Sequence, residues 1–387
     1  MKRSPLFIMI LLIELIVAII LFFNYQYFIE RLQKIPATLE ATAPTSNDAE
    51  VAATAANGPT ANTQVVALAP PDPSRGTLDP AIAPAVLSLF APLPVEVPSP
   101  TYQLTDALVS LGKALYYDPR LSVNQTQSCN TCHPLAQYAV DALPVSKGHN
   151  GEAVKRNAPT VYNAALYVAQ FWDGRSPTVE EQAKAPILTD GEMGMLDPAT
   201  VEAKLRSIPG YAPFFAAAYP DDPNPITFDH VAQAIGAFER RLMTPSRFDR
   251  FLAGDYDQLS AQEQRGFATF TSLGCPTCHV GVTVGGLLFK KLGEIEPYPT
   301  TDLGRYEVTK LDADRYVFKV PSLRNVAKTA PYLHDGSIQT LEEMVVLMAR
   351  HQLGKQVSPE QVSDVVAFLQ TLTGEIPTEV IAAPPLP

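Results

Sequence analysis

Two short stretches hold residues that could do chemistry together, Cys129-Asn-Thr-Cys132-His133 and Cys275-Pro-Thr-Cys278-His279. They contain all four cysteines of the 387-residue chain, so none is left for a structural disulfide. In each stretch two thiols one helical turn apart can add to the two vinyl groups of one haem. The next residue then offers its imidazole to the iron as the proximal ligand. A Cys-x-x-Cys pair can also be a redox disulfide, and two pairs can share one zinc ion. Neither alternative needs a His at the same offset in both copies, so the pattern favours two covalently bound haems c.

Each motif is preceded by a Gly-containing amphipathic segment: Leu111-Gly-Lys-Ala-Leu-Tyr-Tyr before Cys129, and Arg265-Gly-Phe-Ala-Thr-Phe before Cys275. This weak internal repeat predicts two similar haem-binding domains. Capping boxes are readable at Thr178–Glu181, Thr340–Glu343 and Ser358–Gln361. Thr227 opens a helix over Phe228–Leu242, with Val231, Ile235, Phe238 and Leu242 on one face. Leu341, Met344, Val345 and Met348 form a second such face. Val362, Val365, Val366 and Leu369 form a third, stopped by Gly374. No alternating run is long enough for a sheet. The expected fold is mainly α: two cytochrome c-like haem domains over 77–248 and 249–378 and a tail over 379–387, preceded by a single transmembrane helix and a disordered linker.

The first 34 residues read as that membrane anchor. Leu6 to Phe23 is apolar apart from Glu14, and eighteen helical residues span about 27 Å, close to a hydrocarbon core of about 30 Å. A cleaved signal peptide would have a shorter apolar stretch and a small-residue cleavage site, which 24–34 does not offer. An uncleaved inner-membrane anchor is therefore favoured, with the globular part on the periplasmic side, where this kind of haem attachment is completed. Residues 35–76, rich in Ala, Thr, Pro and Asn, read as a linker. The net charge of -11 makes nucleic acid an unsuitable partner.

Further runs carry a resemblance. Leu111-Gly-Lys-Ala-Leu-Tyr-Tyr-Asp-Pro-Arg-Leu-Ser122, Ala169-Gln-Phe-Trp-Asp-Gly-Arg175, Tyr316-Val-Phe-Lys-Val-Pro-Ser-Leu-Arg-Asn-Val326 and Ala330-Pro-Tyr-Leu-His-Asp-Gly336 all lie outside the haem motifs. With them, residues 78–376 resemble the bacterial dihaem cytochrome c peroxidases and the related tryptophylquinone-maturing dihaem oxidases. The resemblance implies two unequal haems. The C-terminal one, of high potential, takes His279 as proximal and Met348 as distal ligand, a thioether raising the potential. Taken by itself, Met348 is a core residue of its helix face. The N-terminal one, of low potential, is where peroxide is cleaved. It takes His133 as proximal ligand and, in the resting enzyme, His149 from the Gly-rich loop Ser146–Gly151. Without the resemblance His149 reads as a surface residue of a polar loop.

The resemblance further implies Glu192 as catalytic acid/base, Gln182 as a second distal polar residue, Phe171 lining the same region, and Trp172 passing electrons between the haems. It implies one Ca2+ on the Asn157 side chain and the carbonyls of Thr329 and Pro331. The expected reaction is reduction of hydrogen peroxide with electrons from a small periplasmic cytochrome c or cupredoxin, in a protein whose relatives are commonly homodimers. His230, His334 and His351 receive no role. Two rivals are a dihaem oxidase acting on a protein substrate, which carries Tyr in place of Met348, and a membrane-tethered electron-transfer cytochrome, for which Glu192 would be dispensable.

Overall fold

The structure is a computed structural model that describes residues 76–387. The expected anchor over 6–23 and the linker, save Gly76, lie outside the described residues. Among the described residues no helix is long and apolar enough to cross a membrane. The longest have 13 residues, against about 20 needed to span a bilayer. The expected placement as a membrane-anchored, periplasm-facing protein is corrected accordingly: nothing described supports it.

The described chain is mainly helical, as expected. In order it forms α1 (Pro84–Leu87), α2 (Asp106–Tyr117), α3 (Cys129–Cys132), α4 (Val179–Leu188), α5 (Pro198–Arg206), α6 (Tyr211–Ala218), α7 (Phe228–Glu239), α8 (Arg247–Leu252) and α9 (Ala261–Leu273). Then come β1 (Phe289–Lys291), α10 (Tyr306–Thr309), β2 (Val317–Lys319), α11 (Leu341–Leu353), α12 (Pro359–Gln370) and α13 (Thr378–Ile381). The two strands pair antiparallel, with Phe289 opposite Lys319.

The repeat seen in the sequence has a packing cause. Helix α2 lies against α7, and α9 lies against α12. At the crossings a Cβ on Gly112 would strike the Ala234 carbonyl, and one on Gly266 would strike the Asp364 carbonyl. Each glycine thus lets two helix backbones come closer than a side chain would permit. The α2/α7 pair centres one apolar core, with Leu111, Leu115, Ile235 and Phe238 buried in it. The α9/α12 pair centres another, with Phe248, Phe267, Phe368 and Leu369.

The ends of the described chain cross over between these cores. Leu78, Ile82, Val86 and Phe90 pack on the second core, while Ile376, Val380 and Ile381 pack on the first. A buried ion pair fastens the early segment: Arg324 Nη1 donates to Asp249 Oδ2 at 2.7 Å, with both side chains fully buried. Asp249 Oδ1 in turn accepts from the Leu93 backbone at 2.8 Å.

Three local expectations change. Thr178 caps α4 by accepting from the Glu181 N–H, but Glu181 turns to Lys184 at 2.8 Å, so the box is not reciprocal. Those at Thr340 and Ser358 are. Helix α7 ends at Glu239, before Leu242, with Arg240 as its cap and its side chain paired with Glu180 at 2.7 Å. Gly374 does not stop α12, which ends at Gln370. It bridges to Ser246 and lies so close to the Thr244 carbonyl that no Cβ would fit.

Candidate active site

The Cys129–Cys132 turn is one wall of a cavity with an empty volume of about 1690 Å3, counted to its mouth. Ser128 and Thr131 cap the turn reciprocally, and the His133 backbone N–H closes it on Cys129 O at 2.9 Å. The Tyr116 hydroxyl donates to His133 O at 2.7 Å, which ties the motif to α2. His133 Nδ1 lies 3.3 Å from Ala139 O. Burial pushes this imidazole below its usual range, so it is neutral. With Nδ1 as the donor to Ala139, Nε2 keeps its lone pair for a metal.

Across the cavity stand Phe171, Trp172, Gln182 from α4, and Glu192. The structure therefore brings the expected distal residues to the cavity of the first motif. Burial raises the Glu192 carboxyl above the usual carboxylate range, against the pull of Arg175. The Arg175 guanidinium sits 3.4 Å from the centroid of the Phe171 ring. His149 is placed differently. Its imidazole does not line the cavity but is half-buried against Gly194, where any Cβ would collide with Nε2, and Nε2 lies 3.9 Å from Asp190 Oδ1. That Nε2 has no hydrogen-bond partner among the described residues. The His149 N–H donates to Glu192 O at 2.8 Å, so the His149 loop and the Glu192 loop are joined.

The second motif lines its own cavity, also with an empty volume of about 1690 Å3. It opens after Gly274, at φ 95°, as a 3-10 turn over Cys275–Thr277. The His279 N–H donates to Cys275 O at 3.0 Å. Burial lowers His279 to about 4, against the opposing carbonyls of Val284 and Pro321. Neither carbonyl completes a hydrogen bond, and Nδ1 is left buried without a partner among the described residues. Met344 and Met348 of α11 line the same cavity, so Met348 and His279 are brought together.

Because the two cysteine pairs line separate cavities, they cannot share one zinc ion. Burial raises all four thiols, Cys275 to about 12, opposite to the lowered value of a reactive redox pair. Trp172 and the run Asn157–Thr160 line both cavities and so form the wall between them. The Trp172 indole donates to Asn157 O at 3.0 Å, and its ring meets His334 edge-on at 6.4 Å. His334 is stacked on Phe318 at 4.5 Å.

The expected calcium ligands Asn157, Thr329 and Pro331 all line the second cavity. Asn157 Nδ2 donates to Leu143 O at 3.0 Å and Pro144 O at 3.2 Å, which turns Oδ1 away from those carbonyls.

The structure adds two residues that no motif announces. Glu239 is 3% exposed and lines the first cavity. Its place four residues after Ile235, on the apolar face of α7, was the available signal. Lys319 is 6% exposed and lines the second cavity. A lysine between Phe318 and Val320 in a strand was the corresponding sign.

The Di-haem cytochrome c peroxidase family model matches residues 106–257. The cytochrome c551 peroxidase of Pseudomonas aeruginosa is 43% identical over 297 residues, covering 75% of this chain and 86% of the relative. The chain belongs to the di-haem cytochrome c peroxidase family. It is accordingly an oxidoreductase of the cytochrome-c peroxidase type with two haems c. The methylamine utilization protein MauG of Methylorubrum extorquens is 36% identical, covering 76% of this chain and 86% of that one. A solved MauG-like protein associated with microbial copper homeostasis superposes with a TM-score of 0.66 at 31% identity, covering 76% of this chain and 97% of that one. The cavities fit the family's cofactor: each has paired thiols, a neutral imidazole and room for a macrocycle.

Proposed function

We propose that this di-haem peroxidase reduces one hydrogen peroxide to two waters, taking two electrons from a small donor protein, a cytochrome c or a cupredoxin, and two protons from solvent. The reading is carried by one observation: a half-buried carboxyl, Glu192, lines the cavity of the Cys129–His133 motif, and that cavity shares the Trp172 wall with the other. Bound there, the first haem supplies the iron at which the O–O bond is cleaved. Glu192 takes the proton from the inner peroxide oxygen and returns it to the departing one. Gln182 orients the peroxide by hydrogen bonding, and Phe171, pinned by Arg175, limits water entry. His133 would hold the first haem, and His279 and Met348 would hold the second, which would supply the electron-entry site, with Trp172 between the two.

His149 is assigned as the residue that would bind the first haem in the resting enzyme and release it on activation, and its position against Gly194 is one in which it would leave that haem free. Calcium on Asn157 Oδ1 and the Thr329 and Pro331 carbonyls would hold the shared wall. The two haem domains are assigned to 77–248 and 249–378, with exchanged ends. To test the reaction, the two-haem protein is reduced by one electron with calcium present, given peroxide, and followed by oxidation of a reduced small cytochrome. Glu192→Gln is expected to lower turnover about 10^2–10^4-fold. Unchanged turnover in the variant removes Glu192 from the mechanism. Absence of turnover in the unaltered protein leaves a dedicated oxidase of MauG type.

A further inference from the structure

Lys319 is a cation without an anion. It is 6% exposed, and its ammonium lies 4.4 Å from the centroid of the Tyr167 ring. Among the described residues no carboxylate forms an ion pair with it. The other lysine lining this cavity, Lys290, is by contrast paired with Glu294 at 3.3 Å. A ring face only partly replaces water around an ammonium, and a buried unpaired charge is costly. Burial accordingly lowers Lys319 to about 8. The side chain is also held in place. Lys319 N donates to Trp172 O at 2.8 Å, and β2 is paired in register with β1. The lysine therefore lines the cavity from a fixed strand, where an anion entering the cavity would complete its pairing.

Once thiols have consumed its vinyl groups, a haem c keeps two propionates as its only carboxylates. We propose that Lys319 is the counter-ion of a propionate of the haem held by Cys275, Cys278 and His279, and that this pairing adds to the high potential that the Met348 thioether gives that haem. The inference rests on that haem being the electron-entry site. A cation beside the propionate offsets negative charge near the iron and so favours the reduced state.

The test is a spectroelectrochemical titration of the two-haem protein. In Lys319→Gln the equilibrium constant for reducing the His279 haem is expected to fall about tenfold, about 59 mV for one electron. Lys319→Arg restores it. In resonance Raman spectra the propionate bending band shifts in Lys319→Gln and returns in Lys319→Arg. Unchanged potential and band, in protein shown by pyridine haemochrome to carry two haems, overturn the proposal and leave the peroxidase reading intact. A shift confined to the His133 haem overturns it too. Should Lys319→Gln not load haem, the unaltered protein decides: a propionate band insensitive to D2O overturns the pairing, and a sensitive one supports it.

Discussion

Glu192 and Glu239 show how one cavity treats two carboxyls. Burial raises both against the pull of an arginine, Arg175 for Glu192 and Arg240 for Glu239, but only Glu239 is raised further by a second carboxylate, Glu180. If Glu192 must accept the peroxide proton, kcat/KM falls as pH drops through its raised value. The acid limb of the profile is then expected above the range of an ordinary glutamate, and absent from the residual rate of Glu192→Gln. Glu239 reports on stability instead. Burial lifts it from 4.5 to about 8. Between those values the folded chain keeps a proton that the unfolded chain releases, so stability is full below about 4.5 and is lost as pH rises toward about 8. Glu239→Gln removes the loss, and its advantage in urea midpoint should grow from pH 5 to pH 8, on the order of a few kcal/mol. Equal midpoint changes in both proteins would show that the acid is solvated or paired.

At the scale of elements, two glycines set how closely the core helices approach. Gly112→Ala and Gly266→Ala should each cost about 1–3 kcal/mol or more, since a backbone carbonyl cannot move aside as a side chain tip can. Thermal melts with and without each substitution measure it, and a cost below 0.5 kcal/mol would mean that the helix pairs can slide apart freely. Much at this scale was legible in the sequence. The α11 and α12 faces, the boxes at Thr340 and Ser358, and the repeat leading into each motif are local patterns that tertiary packing reinforces. What escaped depended on distant partners. The bridge at Gly374, for one, needs Ser246. The distal residues Glu192 and Gln182 were readable only through likeness to a family, because a Glu in a short loop looks the same whether it faces solvent or a cavity.

For the whole molecule, the exchanged ends decide which pieces can stand alone. A fragment over 77–248 would lack Ile376, Val380 and Ile381, and would leave Ile82 and Phe90 without most of their partners, since of that core, apart from the early segment itself, only Phe248 lies inside the cut and Phe267 and Phe368 lie beyond it. Its complement over 249–378 would bury the Arg324–Asp249 pair without the Leu93 contact. Separate expression of the two fragments should therefore give weak near-UV dichroism and poor haem loading, and mixing them should recover part of both. A cooperatively folded 77–248 fragment would show that the crossing segments are ornaments of the cores.

The same exchange has a consequence for how the chain is made. The residues that finish the first core emerge from the ribosome more than a hundred residues after α7. The second core waits from its own emergence for nothing further upstream, because Leu78–Phe90 is already made. The half that would bind the electron-entry haem can close as soon as α12 appears, whereas the half holding Glu192 stays open until Ile376–Ile381 has followed. Maturation then has a built-in order, and the cavity that would handle peroxide is the last to be sealed.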